Sequence, residues 1–171
     1  GRKVRCQLVT VPGQPRLLHR RRYLLETADA IVFVTDSRPD ALEEAKGSFT
    51  TTVGLTERVA GKIAAGVLLQ ANKQDTTGAL PPREVARLLG VSSTTPVVGS
   101  VAAAGDGVMQ TFVLAARLAT DRARALLLDD ALVPAEADDT PDSLHAAMLE
   151  IEAAMRLEEE RQEAERIEAE R

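Results

Sequence analysis

The chain has 171 residues, 44% apolar and 27% charged, with 21 basic and 26 acidic residues and a single cysteine, Cys6. This length allows one domain with a core and an appendage, and the composition excludes a collagen, a disordered chain and a disulfide scaffold. The sequence has no run of 18 apolar residues and starts with basic residues. We therefore expect no membrane span, no secretory signal and a reducing, cytoplasmic location.

The net charge of −5 is unevenly distributed along the chain. Residues 136–171 contain 13 acidic and 4 basic residues, whereas the first 135 residues contain 13 acidic and 17 basic ones. Such a basic excess can attract phosphate or nucleic acid. It lacks interleaved aromatic residues and any helix-turn-helix or zinc spacing, so we expect a solvated or partner-facing surface and no specific nucleic acid. Seven basic residues precede the first acid, Glu26: Arg2, Lys3, Arg5, Arg16, Arg20, Arg21 and Arg22.

The first 36 residues contain two predicted strands and a helix between them. Residues 4–11 are rich in β-branched side chains and predict a strand that ends at Pro12-Gly13. Residues 17–28 predict a helix in which leucines form a stripe among arginines. Residues 30–35 (AIVFVT) are a continuous apolar run, which is typical of a strand buried on both faces.

A second helical region follows the strand at 30–35. Ser37 and Asp40 have the spacing of a capping box, and the residue before them, Asp36, is also interpreted as a helix cap. The helical pattern covers much of residues 39–63, with Thr50–Thr52 and Gly54 as candidate interruptions.

The alternation continues to residue 131. Residues 67–71 (VLLQA) and 96–100 predict two further strands, and Pro81-Pro82 begins a short helix that ends near Gly90. The pattern indicates an α/β fold with a mostly parallel sheet flanked by helices. A long helix is predicted over residues 107–131, with its apolar stripe at Val108, Phe112, Ala115, Ala119 and Leu126.

The C-terminal part of the chain differs in composition. Residues 134–141 (PAEADDTP) predict a linker, and residues 142–171 predict one acidic helix. The first half of this helix has an apolar seam, and charged residues continue the helix beyond it. The seam either docks on the body of the protein or forms a short coiled coil with a partner. The seam consists of Leu144, Met148, Ile151 and Met155.

Polar segments follow each predicted strand. In an open parallel sheet, ligands bind outside the carboxyl ends of the strands. The four segments are Thr10–Gln14, Asp36-Ser37, Asn72–Asp75 and Ser100-Val101-Ala102.

The sequence Asn72-Lys73-Gln74-Asp75 is the most specific of these signals. The Asp75 carboxylate can accept two hydrogen bonds from the N1–H and N2–H₂ edge of guanine, which adenine lacks. Asn72 would hold the loop, and the aliphatic stem of Lys73 would cover the base. A plain polar loop is the alternative interpretation.

These motifs resemble those of the Ras-like small GTPases. NKQD matches their guanine-specificity motif, and Ser100-Val101-Ala102 stands where they carry a serine-alanine-lysine loop. The order TVPGQ, arginine-rich helix and VFVTDS is similar to the bacterial gliding-motility (MglA-type) branch. The resemblance covers residues 3 to about 120. It implies a partial P-loop NTPase fold (a G domain) over residues 1–133 that binds GTP or GDP with Mg²⁺.

The same resemblance assigns roles in the Thr10–Gln14 segment. It places Gly13 near the γ-phosphate and makes Gln14 the residue that orients the attacking water. An exposed turn glutamine is the alternative for Gln14. Thr10 stands where most small GTPases have an aspartate associated with magnesium, so no residue is assigned as a metal ligand. The resemblance also suggests a protein effector or regulator, of the roadblock type.

One family motif does not occur in these residues. The phosphate-binding pattern G-x-x-x-x-G-K-[ST] is absent, and the stretch Gly54–Lys62 has the wrong spacing. In the family topology the missing strand lies between the strands at 4–11 and 30–35. We therefore expect a fragment covering about two-thirds of a G domain, with a degenerate, nucleotide-free relative as the alternative. On this expectation the chain alone is inactive.

Two functional hypotheses follow from the sequence. The first is a guanine-nucleotide switch that hydrolyses GTP, and the second is a non-catalytic scaffold that acts through the basic patch and the acidic tail. His19, His145 and Cys6 lack neighbours at ligand spacing and are interpreted as structural or surface residues.

Overall fold

The computed structural model describes residues 6–11, 18–57, 63–129 and 141–169. The chain divides into two compact units, residues 25–132 and residues 1–24 with 133–171. Eight helices and strands follow in these described ranges, apart from two short 3₁₀ turns: α1 (Leu18–Thr27), β1 (Ala30–Asp36), α2 (Leu42–Glu57), β2 (Gly66–Asn72), α3 (Pro82–Leu89), β3 (Val97–Gly99), α4 (Val108–Leu128) and α5 (Pro141–Ala169).

The three strands form a parallel sheet in the order β1-β2-β3, which confirms the predicted fold class. Register pairs Ala30 with Gly66 at one end and Asp36 with Asn72 at the other. β3 continues the sheet through pairing of Leu69 with Val97. Both connections between strands are helical, as parallel neighbours require. The carboxyl ends of all three strands therefore lie at the same edge.

One face of the sheet carries the main hydrophobic core. Leu69 and Ala71 are fully buried there, and they pack with Leu42 and Phe49 of α2 and with Val85 of α3. The Phe33 and Phe49 rings meet edge to face, with centroids 5.1 Å apart. Alternation of side chains along a strand explains why residues 67, 69 and 71 share this face.

Helix α4 packs on β1 and β2. A Cβ atom at Gly66 would lie 2.9 Å from the Cβ of Leu118, so the glycine permits a close approach of helix and strand. Thr111 and Leu126 are the buried residues of the helix, whereas Val108 and Phe112 are 42% exposed. The predicted stripe is therefore wrong at its first two positions, because the helix turns the side on which Thr111, Leu118 and Leu126 lie towards the sheet.

Helix α2 continues through the candidate interruptions. The hydroxyls of Thr50, Thr51 and Thr52 donate to the carbonyl oxygens four residues earlier, at distances of 2.9 to 3.0 Å. The threonine hydroxyls thus find hydrogen-bond acceptors within the helix, and the backbone hydrogen bonds of the helix remain intact. Gly54 also lies within the helix.

The strand predicted at residues 4–11 is not found in its described part. Residues 6–11 have no regular secondary structure, and Leu8 and Val9 are exposed. β-branched residues favour a strand only where a neighbouring strand pairs with it and one face is buried. Burial of the strand at 30–35 is also one-sided, because Val34 is 52% exposed while Ile31 and Thr35 are buried.

The second unit contains the 29-residue helix α5, which begins at Pro141. Proline is favoured at the first position of a helix. The remaining linker residues, 134–140, lie outside the described residues. So do the side chains of the seam Leu144, Met148, Ile151 and Met155, and the coiled coil stays a prediction. Among the described residues, no helix has the length and apolarity needed to cross a membrane.

Candidate functional site

The loops that follow the three strands are joined at the carboxyl edge of the sheet. The Ser37 amide donates to the Asn72 carbonyl oxygen at 3.0 Å, which links the ends of β1 and β2. The Ser100 amide donates to the Ala71 carbonyl oxygen at 2.9 Å, which links β3 to β2. The Gln74 amide in turn donates to the Ser100 carbonyl oxygen at 3.1 Å. Three predicted polar segments therefore form one cluster around Asn72.

The Asn72 side chain bridges two of these loops. Its Oδ1 accepts from the Ser100 hydroxyl at 3.0 Å and from the Ala102 amide at 2.9 Å. A backbone N–H can only donate, so the Ala102 contact identifies the atom facing it as the oxygen. The Nδ2 amino group of Asn72 consequently lies on the side of the amide away from Ser100 and Ala102. The Asn72 side chain therefore has its Nδ2 donor available, whereas its Oδ1 acceptor is occupied by Ser100 and Ala102.

The backbone of Asn72 is held from the β1 side. Its carbonyl oxygen accepts from both the amide and the hydroxyl of Ser37, the latter at 2.7 Å. The Gln74 Nε2 donates to the Ser37 hydroxyl at 2.7 Å and to the Leu80 carbonyl oxygen at 3.0 Å. Ser37 is fully buried and is therefore not the helix cap that its spacing with Asp40 predicted. Its hydroxyl has a non-local partner instead, which sequence spacing cannot reveal.

Lys73 connects the loop to the end of β1 through its side chain. Its backbone is in the left-handed region, with a φ of 62°, and it is the only non-glycine residue of the described part with a positive φ. The ammonium lies 2.9 Å from the Asp36 carboxylate. Strained backbone of this kind persists only where surrounding contacts impose it, and it is concentrated at functional sites.

Asp36 is the shared acceptor for two cations. Its carboxylate accepts from the Arg38 side chain at 3.0 Å, from the Arg38 amide at 3.0 Å and from Lys73. The hydrogen bond from the Arg38 guanidinium, followed by that from Lys73, holds the pKa of Asp36 far below its usual value. The predicted role of Asp36 as a helix cap is wrong, because the 3₁₀ turn at Pro39–Ala41 has Arg38 at its N-cap and no side-chain capping bond.

Asp75 lies in the same loop, three residues after Asn72, and its side chain is exposed. No hydrogen bond or ion pair from the described residues reaches its carboxylate. A carboxylate has only acceptor oxygens, so Asp75 offers two of them to a ligand. The loop thus leaves the two oxygens of the Asp75 carboxylate and the Nδ2 donor of Asn72 available to a ligand.

The loop after β3 completes this edge of the sheet. Val101 pairs with Asp106 in a single antiparallel bridge, and Ala102–Ala104 form a 3₁₀ turn. Gly107 has a φ of 77°, and a Cβ atom there would clash with the Gly99 carbonyl oxygen and lie 2.9 Å from the Ser100 Cβ. The glycine therefore allows α4 to begin directly against the site.

Six of the predicted site residues are brought together by the fold: Asn72, Lys73, Asp75, Ser100, Val101 and Ala102. The other two, Gly13 and Gln14, lie outside the described residues. Gln70, Gln74 and the ion-pair role of Asp36 were missed from the sequence. A glutamine within an apolar strand, as in VLLQA, is the one signal that could have identified Gln70.

The described residues contain no cluster of acidic, histidine or cysteine side chains that would hold a magnesium ion by itself. Mg²⁺ prefers carboxylate and water oxygens in near-octahedral geometry. Among the described residues no group of three or more His, Cys, Asp or Glu side chains could hold a metal. The Asp36 carboxylate is already occupied by Arg38 and Lys73.

Comparison with known proteins identifies relatives of this chain. A model of the ADP-ribosylation factor family (Arf) matches residues 2–117. The mutual gliding-motility protein MglA of Myxococcus xanthus is 31% identical over 119 residues, covering 69% of this chain and 60% of the relative. ADP-ribosylation factor-like protein 2 of Arabidopsis thaliana is 32% identical over 108 residues, covering 60% of this chain and 56% of the relative. The chain thus spans less than two-thirds of the length of either relative.

Proposed function

The chain belongs to the ADP-ribosylation factor family of small GTPases, and we propose that its polar sheet edge is the guanine-base half of a nucleotide switch site. The observation that carries this proposal is the convergence of three strand-end loops on Asn72, which leaves Asp75 exposed in the same loop. The family is one of GTP- and GDP-binding proteins, and the resemblance to the gliding-motility branch is supported by the MglA match.

Asp75 and Asn72 supply complementary hydrogen-bonding groups for guanine. The Asp75 carboxylate accepts from N1–H and N2–H₂, a donor pair that adenine does not offer. The Asn72 amino group donates to N7, an acceptor that guanine presents on the opposite side of the ring. A charge-assisted contact of this kind is stronger than a neutral one, so Asp75 is the main determinant of base selectivity.

Lys73 packs its aliphatic stem over the base. Its ammonium is bound to Asp36, and its backbone is held in the left-handed region, so the four-carbon stem is stretched between two fixed ends. Long cationic side chains cover apolar surface with their methylene groups while the charged head stays solvated. Asp36 thereby holds Lys73 in place.

GTP hydrolysis is proposed from the family resemblance alone. Gln14 would orient the water that attacks the γ-phosphorus, and Gly13 would bring the backbone close to the γ-phosphate. The phosphorus–oxygen bond to the β-phosphate would break, releasing GDP and inorganic phosphate. Both residues lie outside the described part of the chain. The GTP- or GDP-dependent partner is proposed to be a protein effector or regulator, of the roadblock type, in the cytoplasm.

The test is guanine selectivity of the protein expressed from its complete reading frame. A fluorescent GDP analogue is titrated, and GDP and ADP are compared as competitors. We expect GDP to compete at least about 100-fold better than ADP, since adenine would cover the Asp75 acceptor pair without offering it any donor. Equal competition by both nucleotides, or no binding, contradicts the proposal.

Matched variants separate base reading from general loss of fold. Asp75→Ala is expected to abolish the guanine preference, whereas Asp106→Ala, at an exposed carboxylate in the loop after β3, is expected to preserve it. If the wild-type protein binds neither nucleotide, the scaffold hypothesis becomes the better one. In that case the charged helix α5 and the basic segment before Glu26 are the two regions to test for partner binding.

A further inference from the structure

We propose that Gln70 is a positioning residue that fixes the Asn72 amide for guanine binding through the Ser100 hydroxyl. This inference rests on the proposed function, because the role of Gln70 is measured through the affinity for the guanine base. Gln70 lies within β2, two residues before Asn72, and is 7% exposed. Its Nε2 lies 2.9 Å from the Ser100 Oγ. The Ser100 hydroxyl in turn lies 3.0 Å from the Asn72 Oδ1.

One backbone amide determines the direction of both hydrogen bonds that link Gln70, Ser100 and Asn72. The Ala102 N–H can only donate, so the Asn72 atom facing it is Oδ1. An amide oxygen can only accept, so the Ser100 hydroxyl must donate to it. The Ser100 oxygen is then left to accept, and the group facing it from β2 must be the Gln70 amino group. Reversal of any one bond would leave two donors or two acceptors face to face.

Gln70 therefore does more than fill space in the strand. By donating to the Ser100 oxygen it occupies the acceptor side of that hydroxyl, and the hydroxyl proton stays on the Asn72 side. Asn72 then receives two donors on Oδ1, which holds the amide plane and keeps Nδ2 facing outwards. Without Gln70, the hydroxyl can rotate towards other acceptors and the amide is held by Ala102 alone.

The position of Gln70 argues for a functional role over a structural one. Two of its neighbours on the same face of the sheet, Leu68 and Val98, are apolar and nearly inaccessible to solvent. A buried amide in such surroundings costs free energy relative to an apolar residue of similar size. The side chain shares a face with Asn72 because residues 70 and 72 lie two positions apart on one strand. Its bond to Ser100 satisfies the amino group and connects it to the proposed base site.

A second, parallel chain acts on the backbone of the same residue. Gln74 donates to the Ser37 hydroxyl, which donates to the Asn72 carbonyl oxygen. Each chain consists of a glutamine amino group, a buried serine hydroxyl and an oxygen of Asn72. The Gln74 chain holds the main chain and the Gln70 chain orients the side chain, so only the latter should affect the Nδ2 donor.

The experiment compares GDP with 7-deaza-GDP, which lacks the N7 acceptor. Affinities of both are measured by calorimetry for the complete gene product and for Gln70→Met, Ser100→Ala and the double variant. We expect each single substitution to weaken GDP binding about fivefold, the equivalent of one hydrogen bond. The double variant should bind GDP about as well as Ser100→Ala alone, because Gln70 acts through Ser100. Binding of 7-deaza-GDP should change by less than about twofold, since it has no N7 to receive the donor.

Val98→Ala is the matched control for stability. Val98 is paired in register with Gln70 and is 2% exposed, so its truncation loosens the same region without touching the hydrogen-bond chain. It should lower Tm at least as much as Gln70→Met while leaving the ratio of GDP to 7-deaza-GDP affinities unchanged. A shift of this ratio in Val98→Ala contradicts the inference. So does a multiplicative loss in the double variant, or a parallel loss of 7-deaza-GDP binding.

Failure of the inference can be distinguished from failure of the proposed function. If the wild-type protein prefers GDP over ADP but Gln70→Met binds GDP normally, Gln70 has no positioning role and the base site stands. If the wild-type protein shows no guanine preference, the proposed function is wrong and the role of Gln70 is overturned with it.

Discussion

The Lys73 ammonium lies 2.9 Å from the Asp36 carboxylate, and this contact joins two loops that are 37 residues apart in the sequence. Asp36 ends β1 and Lys73 follows β2, so the ion pair forms only because the two strands are parallel neighbours in register. Arg38 donates to the same carboxylate. The pair thereby connects the motif lysine to the framework of the sheet.

Asp36→Asn should loosen Lys73 and weaken nucleotide binding. Asparagine keeps the size of the side chain but removes the charge that attracts both cations. We expect GDP affinity to fall about three- to tenfold, the effect of weakening one charge-assisted hydrogen bond. Asp40→Asn is the matched control, because Asp40 is exposed and lies 3.9 Å from Arg38 without contacting Lys73. An equal loss in both variants would contradict a specific role of Asp36.

Asp36 should also contribute a defined acid dependence to stability. Its pKa is lowered in the folded protein by the Arg38 and Lys73 hydrogen bonds, whereas the unfolded carboxyl titrates near pH 4. The stabilisation is therefore fully present above about pH 4 and is lost as the pH falls below that value. Urea unfolding of wild type and Asp36→Asn at pH 6 and pH 3 measures this. The difference between the two proteins should shrink at pH 3, and a difference that grows there would contradict the assignment.

Asp75→Asn should change the preferred base. The carboxamide keeps one acceptor for N1–H but turns the other position into a donor, which meets the N2–H₂ donor of guanine unfavourably. Xanthine carries an oxygen at that position and pairs with the new donor. We expect the preference to move from GDP to xanthosine diphosphate by about 10- to 100-fold. Competition titrations measure it, and an unchanged preference would show that Asp75 does not contact the base.

Gly107 and Gly105 provide a matched pair for backbone effects. Both have positive φ, 77° and 86°, but only at Gly107 would a Cβ atom meet the Gly99 carbonyl oxygen and Ser100. Gly105→Ala should cost about 1 to 2 kcal/mol of unfolding free energy, the penalty of the left-handed conformation alone. Gly107→Ala should cost at least about 2 kcal/mol more, because the clash adds to that penalty. Equal losses in urea unfolding would contradict the close packing of α4 against the site.

Arg122 stabilises the opposite end of the sheet. Its guanidinium donates to the Ile63 carbonyl oxygen at 2.9 Å and to the Asp29 carboxylate, and its side chain is 12% exposed. Arg122→Met should lower the unfolding free energy by about 1 to 2 kcal/mol, since the carbonyl oxygen loses its partner. Arg122→Lys should recover only part of it, because an ammonium cannot reproduce the planar fork. Arg124→Met, at an exposed position of the same helix, should be neutral by comparison.

The order of strands and helices could be predicted from the sequence because it depends on local patterns. Mainly apolar runs of six and five residues mark β1 and β2, and Pro82 and Gly90 mark the ends of α3. The polar loop Asn72–Asp75 could be predicted equally well, because it directly follows a buried strand. The strand expected at residues 4–11 failed in its described part because strand formation also depends on a neighbour.

The roles of single polar side chains could not be predicted in the same way. Ser37 has the spacing of a helix cap, yet its hydroxyl binds the Asn72 carbonyl oxygen 35 residues away. Asp36 was interpreted as a cap and instead holds Lys73. Gln70 lies in an apolar strand, and its amino group donates to the Ser100 hydroxyl 30 residues away. In each case the partner lies on another strand or loop, and only the sheet register brings the two together.

Composition and charge follow from the sequence alone. So do the α/β class and the position of the NKQD loop, because both depend on residues close together in the chain. Tertiary structure decided which hydroxyl, amide and carboxylate meet at the carboxyl edge of the sheet. Parallel pairing places Asp36, Asn72 and Ser100 side by side. A buried polar group must then find its partner among those neighbours, and their identity depends on packing and register.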